Sequence, residues 1–378
     1  MKLAILTQPL FFNYGGLLQA YALQTVLERM GHEVIILNRE TPATSGRFPN
    51  NLVLDAKYLL RKLLRRPNVT RSSRQNKLIS SKTQLFIDKY LHTTPSLYTQ
   101  KMLTDYINKH PQDGFVVGSD QVWRPCMSPC ITNYFLDFTE GSEVKRISYA
   151  ASFGVDNWEF TDEETTACAA FAKHFDAISV REASGVALCK ERLGVEATHV
   201  LDPTLMLMKE DYMQFVEDAK EHTSKGNLFC YVLDRSAEKT STLRTIAEQM
   251  GFKDFYCMPA LHDSPENIER DPDNCIYPPV TQWLRSFMDA EMVLTDSFHG
   301  TAFSIIFNKP FWVIGNKARG LSRFESILGI FGLQDRLITP EQASSIGWIA
   351  PIDWERVNAV RKEWLNMSQD FLDKALSV

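Results

Sequence analysis

The chain has 378 residues, 44% hydrophobic and 23% charged, enough apolar material for two globular domains of ordinary size. With 46 acidic and 41 basic side chains the formal net charge is −5, which excludes a general nucleic-acid binder, since that class carries a basic excess. No apolar run approaches the roughly 20 residues of a membrane-crossing helix. The seven cysteines are scattered without a Cys-x-x-Cys, which argues for reduced thiols in a cytoplasmic protein and against a zinc site.

In chain order, the first element is "KLAILT" (2–7). Gln8 and Pro9 break the apolar run and no small-residue cleavage site follows, so it reads as a buried strand rather than a signal peptide. A helix over 17–30 closes at Gly31. Strands follow at 33–37, 114–119, 146–152, 177–181 and 199–204, with a helix over 182–193 closed by Gly194. After about residue 205 the alternation restarts. Strands are expected at 227–234, 254–259, 292–296 and 311–315, and helices near 236–250, 281–290, from His299 onward, and at 353–376. Strands that are apolar throughout suit parallel sheets covered by helices on both faces. The expected fold class is therefore α/β, with two Rossmann-like domains at 1–205 and 206–350. A C-terminal helix within 351–378 is expected to pack back on the first domain. Two regions depart from the alternation: a basic helical insertion at 52–90, and a Pro-, Asp- and Asn-rich stretch at 260–280 that reads as a long loop near a domain mouth.

In open parallel sheets ligands sit beyond the carboxyl ends of the strands, where helix starts also offer N–H groups to anions. Four segments fall there. "FFNYGGLLQ" carries Gly15 and Gly16 for a close backbone approach, with Asn13, Tyr14 and Gln19 to meet a sugar or carboxylate; the bland reading is a plain strand-to-helix turn. "VVGSDQVW" sets Ser119, Asp120, Gln121 and Trp123 beyond a buried strand, the mixture of polar groups and indole that a carbohydrate pocket uses, unless Trp123 is core. "SVREASG" offers Arg181, whose fork suits phosphate or carboxylate, or else an Arg181–Glu182 ion pair. "MVLTDSFHG" places His299 at a strand end, a helix start and a glycine neighbour, Gly300, with Asp296 or Ser297 to hold one ring nitrogen. Beyond the next strand Lys317, Arg319 and Arg323 supply cations for an anionic donor.

Taken together, "FNYGGLLQAYALQTVLERMGHEV", "VVGSDQVW", "SYAASFG", "VREASG", "VLDPTLM" and "DSFHGTAFSIIFNKPFW" resemble the polysaccharide pyruvyl transferase family over roughly residues 1–330. The resemblance implies a glycosyltransferase-B-like arrangement with the donor site in the cleft. It implies transfer of pyruvate from phosphoenolpyruvate to a saccharide as a ketal, in cell-surface polysaccharide biosynthesis, without metal or nucleotide cofactor. It makes His299 the acid/base residue. Many members carry an arginine two residues before this histidine, where this chain has Ser297. Donor binding then falls to Arg181, Arg319 and Arg323, while "NYGG" and "GSDQVW" take the acceptor side. A nucleotide-sugar-dependent glycosyltransferase on the same scaffold is the alternative, because function lies in the site rather than the fold.

Residues 56–77 carry Lys57, Arg61, Lys62, Arg65, Arg66, Arg71, Arg74 and Lys77 with no acid, interleaved at first with leucines. Such a stretch either lies on an anionic bilayer at the inner face of the membrane, where lipid-linked acceptors reside, or packs its leucines on the first domain.

Overall fold

The structure is a computed structural model that describes residues 1–40, 56, 59–60, 71–234, 236–315, 321–339, 342 and 351–377. Its strands form two parallel sheets. The first contains β1 (Lys2–Leu6), β2 (Glu33–Ile36), β3 (Gly114–Val117), β4 (Lys145–Ala151), β5 (Ala177–Val180) and β6 (Thr198–His199), in the order β2-β1-β3-β4-β5-β6. The second contains β7 (Leu228–Tyr231), β8 (Asp254–Phe255), β9 (Met292–Thr295), β10 (Phe311–Ile314) and β11 (Leu337–Ile338), in the order β11-β10-β9-β7-β8. Strands β3, β7 and β10 are buried at every residue, which is why their sequences are apolar without alternation.

Both orders contain a reversal. In the first sheet the chain turns back at β1, between β2 and β3; in the second it turns back at β7, between β8 and β9. The crevices of the two sheets therefore lie beyond β1 and β3, and beyond β7 and β9. The segments singled out at Asn13, Ser119 and Asp296 all leave these strand ends.

The first sheet is accompanied by α1 (Tyr14–Arg29), α2 (Ser73–Ile79), α3 (Ser81–Tyr90), α4 (Gln100–Lys109), α5 (Asp162–Ala172) and α6 (Ala183–Leu188). Then come α7 (Lys209–Ala219), α8 (Ala237–Met250), α9 (Pro265–Arg270), α10 (Val280–Asp289), α11 (Phe298–Ile306), α12 (Ser322–Phe331) and α13 (Trp354–Leu376). Helix α13 returns to the first half. Ser368 Oγ accepts the Leu201 N–H, Arg361 donates to the Leu205 and Leu207 carbonyls, and Phe371 lies 6.3 Å from the Tyr149 ring. It also meets α12, where Arg356 donates to the Gly332 carbonyl.

Several elements differ from the sequence reading. The strand expected over 199–204 ends at His199, because Pro203 opens a 3₁₀ turn (Pro203–Met206) that Asp202 caps. The helix expected over 182–193 is α6 followed by one π turn (Cys189–Leu193). The 260–280 loop holds α9, with Ser264 as its cap and Pro265 in its first turn. Of the 52–90 insertion, α2 and α3 are described; Lys57, Arg61, Lys62, Arg65 and Arg66 lie outside the described residues. Helix α2 and the residues before it dock on the second half, where Arg71 pairs with Asp263 at 2.7 Å and Gln75 Nε2 donates to the Pro265 carbonyl; from the loop after β1, Phe12 stacks on Tyr277 at 4.2 Å. Among the described residues no helix is long and apolar enough to cross a membrane.

Candidate active site

Helix α11 begins hard against the end of β9. Ser297 is its cap and accepts the Gly300 N–H through Oγ. Gly300 permits this approach: a Cβ there would stand 2.1 Å from Thr295 Oγ1. The first turn of α11 then points His299 at the first half of the molecule. Asp296 does not reach the imidazole, contrary to the sequence reading. It accepts from Leu233 N (2.6 Å), Asp234 N (3.1 Å) and Lys239 Nζ (2.6 Å), and so ties the β7 and β9 loops together. Ser297 is likewise spent on the cap.

The carboxylate that faces His299 is Asp202, at the end of the first sheet. Its Oδ2 lies 3.8 Å from His299 Nε2, which is buried without a hydrogen-bond partner. The same oxygen accepts from Ser119 Oγ (3.0 Å) and Arg181 Nη1 (2.7 Å), while Oδ1 accepts from Thr204 N (3.0 Å) and Thr204 Oγ1 (2.7 Å). Arg181 is the hub. Its Nη2 donates to Asp120, its Nε to Glu182, and its guanidinium lies over the Phe298 ring at 4.3 Å. Glu182 in turn accepts from Ser152 Oγ at 2.6 Å. Arg181, Asp120, Glu182, Asp202 and His299 are all buried.

This corrects the role expected of Arg181. Three buried carboxylates occupy its fork, so it holds the site together instead of presenting free donors to a substrate. Arg323, in the first turn of α12, differs. Its Nε is buried with no hydrogen-bond partner. Helix α12 is fixed on the first half by Ser326, whose Oγ accepts the Ala183 N–H. Arg319 and Lys317 lie outside the described residues.

The ionisation pattern follows from burial and neighbours. Burial lowers the His299 pKa below its ordinary 6.5; Asp202 and Asp120 pull it back up, while Arg181 and Arg323 push it further down. Burial alone would raise Asp202, but the facing imidazole and Arg181 hold it below the usual carboxylate range. Burial also lowers Arg323, with Arg181 adding to the effect. Glu182 is raised by burial against the pull of Arg181.

The glycine loop fits against this cluster. A Cβ on Gly15 would stand 2.1 Å from His299 Nδ1. Asn13 caps α1 by accepting the Gly16 N–H at 3.2 Å. Tyr14 reaches across to the second half, donating to the Pro278 carbonyl and stacking on Trp283 at 5.6 Å. Gln19 is buried, bonded to Thr7 Oγ1, the Gly16 carbonyl and Ser119 N. Gln121 Oε1 accepts from Arg124. Trp123 is fully buried, stacked on Phe135, with its indole N–H on the Tyr134 carbonyl. Tyr14, Gln19, Ser119 and Trp123 therefore build and join the halves rather than line an open sugar pocket, because each is enclosed and already bonded. Asp202 and Lys239 were not singled out from the sequence; "VLDPT", an Asp–Pro just past a strand, was the available signal for Asp202. Among the described residues no group of His, Cys, Asp and Glu could hold a metal ion.

A protein-family model described as polysaccharide pyruvyl transferase matches residues 13–318. The chain belongs to the polysaccharide pyruvyl transferase family. In this pyruvyl transferase family member the matched span includes Gly15, Asp120, Arg181, Asp202 and His299, and stops short of Arg323. No curated protein matches. Among solved structures, UDP-GlcNAc 2-epimerase from Neisseria meningitidis, bound to UDP-GlcNAc, is similar at TM-score 0.50 and 11% identity, over 100% of this chain and 99% of that one. The UDP-GlcNAc 2-epimerase of Methanocaldococcus jannaschii gives 0.47 and 13%, over 97% and 93%. MurG of Acinetobacter baumannii gives 0.46 and 9%, over 99% of both. This member of the family thus has an α/β fold of glycosyltransferase-B-like arrangement.

Proposed function

We propose that the protein transfers pyruvate from phosphoenolpyruvate to two hydroxyls of a saccharide, with His299 as the general acid. The observation that carries this reading is the buried His299 between Asp202 and Gly15, with Arg181 and Arg323 close enough to perturb it. Asp202 faces the ring from 3.8 Å and biases its charge, Gly15 packs against Nδ1, and Nε2, which has no hydrogen-bond partner, is the nitrogen that meets the donor. The imidazolium protonates the methylene carbon of the enol ester. The neighbouring carbon becomes oxocarbenium-like, and the first hydroxyl attacks it. Phosphate leaves as the second hydroxyl closes the ketal. In net, one hydroxyl proton ends on the former methylene carbon and the other leaves with phosphate.

Arg323 answers the negative charge of the donor, joined by Arg319. A bound trianion reverses the electrostatics of the empty site: it favours imidazolium, which burial and the two arginines oppose in its absence. Acid catalysis of this kind contributes about 10²–10⁴-fold. His299 and Asp202 are closed off from solvent, so the halves part to admit the donor and close to exclude water. Asp120, Gln121 and Asn13 belong to the acceptor side.

Thermal shift decides the donor. Phosphoenolpyruvate is expected to raise the melting temperature, as any ligand of the native state does, while UDP-sugars leave it unchanged. Stabilisation by a UDP-sugar and not by phosphoenolpyruvate makes the protein a glycosyltransferase instead.

An acceptor carried on lipid would explain the basic stretch before α2. Leu59 and Leu60 are each 57% exposed, whereas Arg71 is spent on Asp263. Attachment is expected to anionic but not neutral vesicles, and to be released by salt. Failure to sediment with anionic vesicles at low salt removes this part.

A further inference from the structure

We propose that the cavity beyond the carboxyl ends of β1 and β2 is a subsite for a neutral sugar unit of the acceptor, an inference that rests on the saccharide acceptor above. The cavity has a volume of about 320 Å³, and Phe11, Asn38, Glu40, Lys77, Gln84 and Asp88 are among its lining residues. It lies outside the His299 cluster, and none of the contacts described so far uses it.

Its chemistry is that of a hydroxyl-rich ligand. Asn38 Oδ1 is buried without a hydrogen-bond partner, although Asn38 Nδ2 donates to Glu40 Oε1 (3.0 Å) and Ser96 Oγ (3.3 Å). A buried carbonyl oxygen in that state is costly unless a ligand or water supplies a donor. Gln84 Nε2 is turned onto Asp88 Oδ1 at 2.8 Å, so the amide oxygen of Gln84 remains as a further acceptor. These carboxylates and amide oxygens accept hydrogen bonds, while Lys77 and the hydroxyls of Ser81 and Thr93 can donate, so the lining suits a ligand whose groups both donate and accept. Sugar hydroxyls do so without charge. Among the described lining residues a phosphate would meet two carboxylates, Glu40 and Asp88, and the single lysine Lys77, a balance that suits a neutral ligand better than a nucleotide diphosphate. Phe11 supplies the flat apolar surface on which the C–H face of a pyranose packs.

The position suits an acceptor that extends away from the reacting hydroxyls. Phe11 contacts Phe12 at 4.5 Å between ring centres, and the chain then runs through Asn13 and Tyr14 to Gly15, beneath His299. Four residues of chain span at most roughly 14 Å, so a short oligosaccharide reaches from the cavity to the histidine.

Saturation-transfer NMR on the full chain tests this with maltose, cellobiose, lactose and mannobiose, and with inorganic phosphate and UDP as anionic controls. At least one disaccharide is expected to bind, and Phe11→Ala and Gln84→Ala are each expected to weaken it at least fivefold. Absence of binding by all four disaccharides, or binding that both variants leave intact, overturns the subsite. Binding of UDP that both variants weaken overturns it as well. Thermal stabilisation of the wild-type protein by phosphoenolpyruvate is read in parallel. If phosphoenolpyruvate stabilises and the disaccharide result fails, the subsite falls and the transferase reading stands. If a disaccharide binds through Phe11 and phosphoenolpyruvate does not stabilise, the donor reading falls and the subsite stands.

Discussion

Gly15 of the first half is the seat of His299 of the second: a Cβ at residue 15 would lie 2.1 Å from the imidazole Nδ1. Gly15 follows β1, where the first sheet turns back, and His299 follows β9, the neighbour of the reversal strand β7, so the crevices of both halves converge on one contact. Gly15→Ala should make α1 intrinsically more stable, by about 0.5–1 kcal/mol for a helical site, yet displace the histidine. Turnover is expected to fall by more than about 100-fold, and the clash with the buried ring to cost about 1–3 kcal/mol of stability, more than the helix gains. Near-normal kcat in folded Gly15→Ala would show that the contact has no bearing on chemistry.

Arg181 and Arg323 should separate cleanly on substitution. Removing Arg181 strands Asp120, Glu182 and Asp202 in the interior, and loss of one partner of a buried pair costs about 3–5 kcal/mol. Arg181→Ala is therefore expected to unfold at markedly lower denaturant. Arg323→Gln removes a buried cation whose Nε has no partner, and should leave stability nearly unchanged. It should weaken phosphoenolpyruvate binding by roughly 1.5–3 kcal/mol, the worth of a hydrogen bond to a charged group. Denaturation curves and calorimetry on both variants check the contrast; unchanged donor affinity in Arg323→Gln removes its assigned role.

The pH dependence has a definite sign. His299 acts protonated, and in the free protein burial lowers its pKa below 6.5. The acid form is thus lost as pH rises through that lowered value, and kcat/KM falls there. The bound anionic donor raises the pKa, so kcat should hold to higher pH than kcat/KM. Asp202→Asn removes a charge that raises the histidine, so the alkaline fall of kcat/KM should move to lower pH. Movement to higher pH, or none, contradicts the Asp202–His299 coupling.

Trp123 belongs to stability. Its ring stacks on Phe135 and its N–H is bonded to the Tyr134 carbonyl. Trp123→Ala should cost about 3–5 kcal/mol in urea unfolding. A normal unfolding midpoint combined with a raised acceptor KM would return Trp123 to the sugar site.

These contrasts show what could be read from the residues alone. The strands were legible because β3, β7 and β10 are apolar at every position, and the placement of His299 in the first turn after a strand because strand end, helix start and glycine coincide locally. Partners brought together by tertiary structure were not. Asp296 neighbours His299 in sequence, but its carboxylate is captured by two backbone N–H groups and Lys239. Asp202 reaches the imidazole only because two sheets meet. The Arg181–Glu182 pair was open to the sequence as an alternative to a free cation, but Asp120 and Asp202, which complete the enclosure of Arg181, come from separate segments. Strand β11, two residues long, is too short to carry a pattern.

The most direct test follows ¹³C-labelled phosphoenolpyruvate with a neutral saccharide acceptor by NMR, in wild-type protein and in folded His299→Gln. Expected in the wild type is a ketal carbon on the saccharide together with an equal amount of inorganic phosphate, and in the variant a loss of more than about 100-fold in both. Ketal and phosphate at near wild-type rates in His299→Gln would contradict the central role given to this histidine.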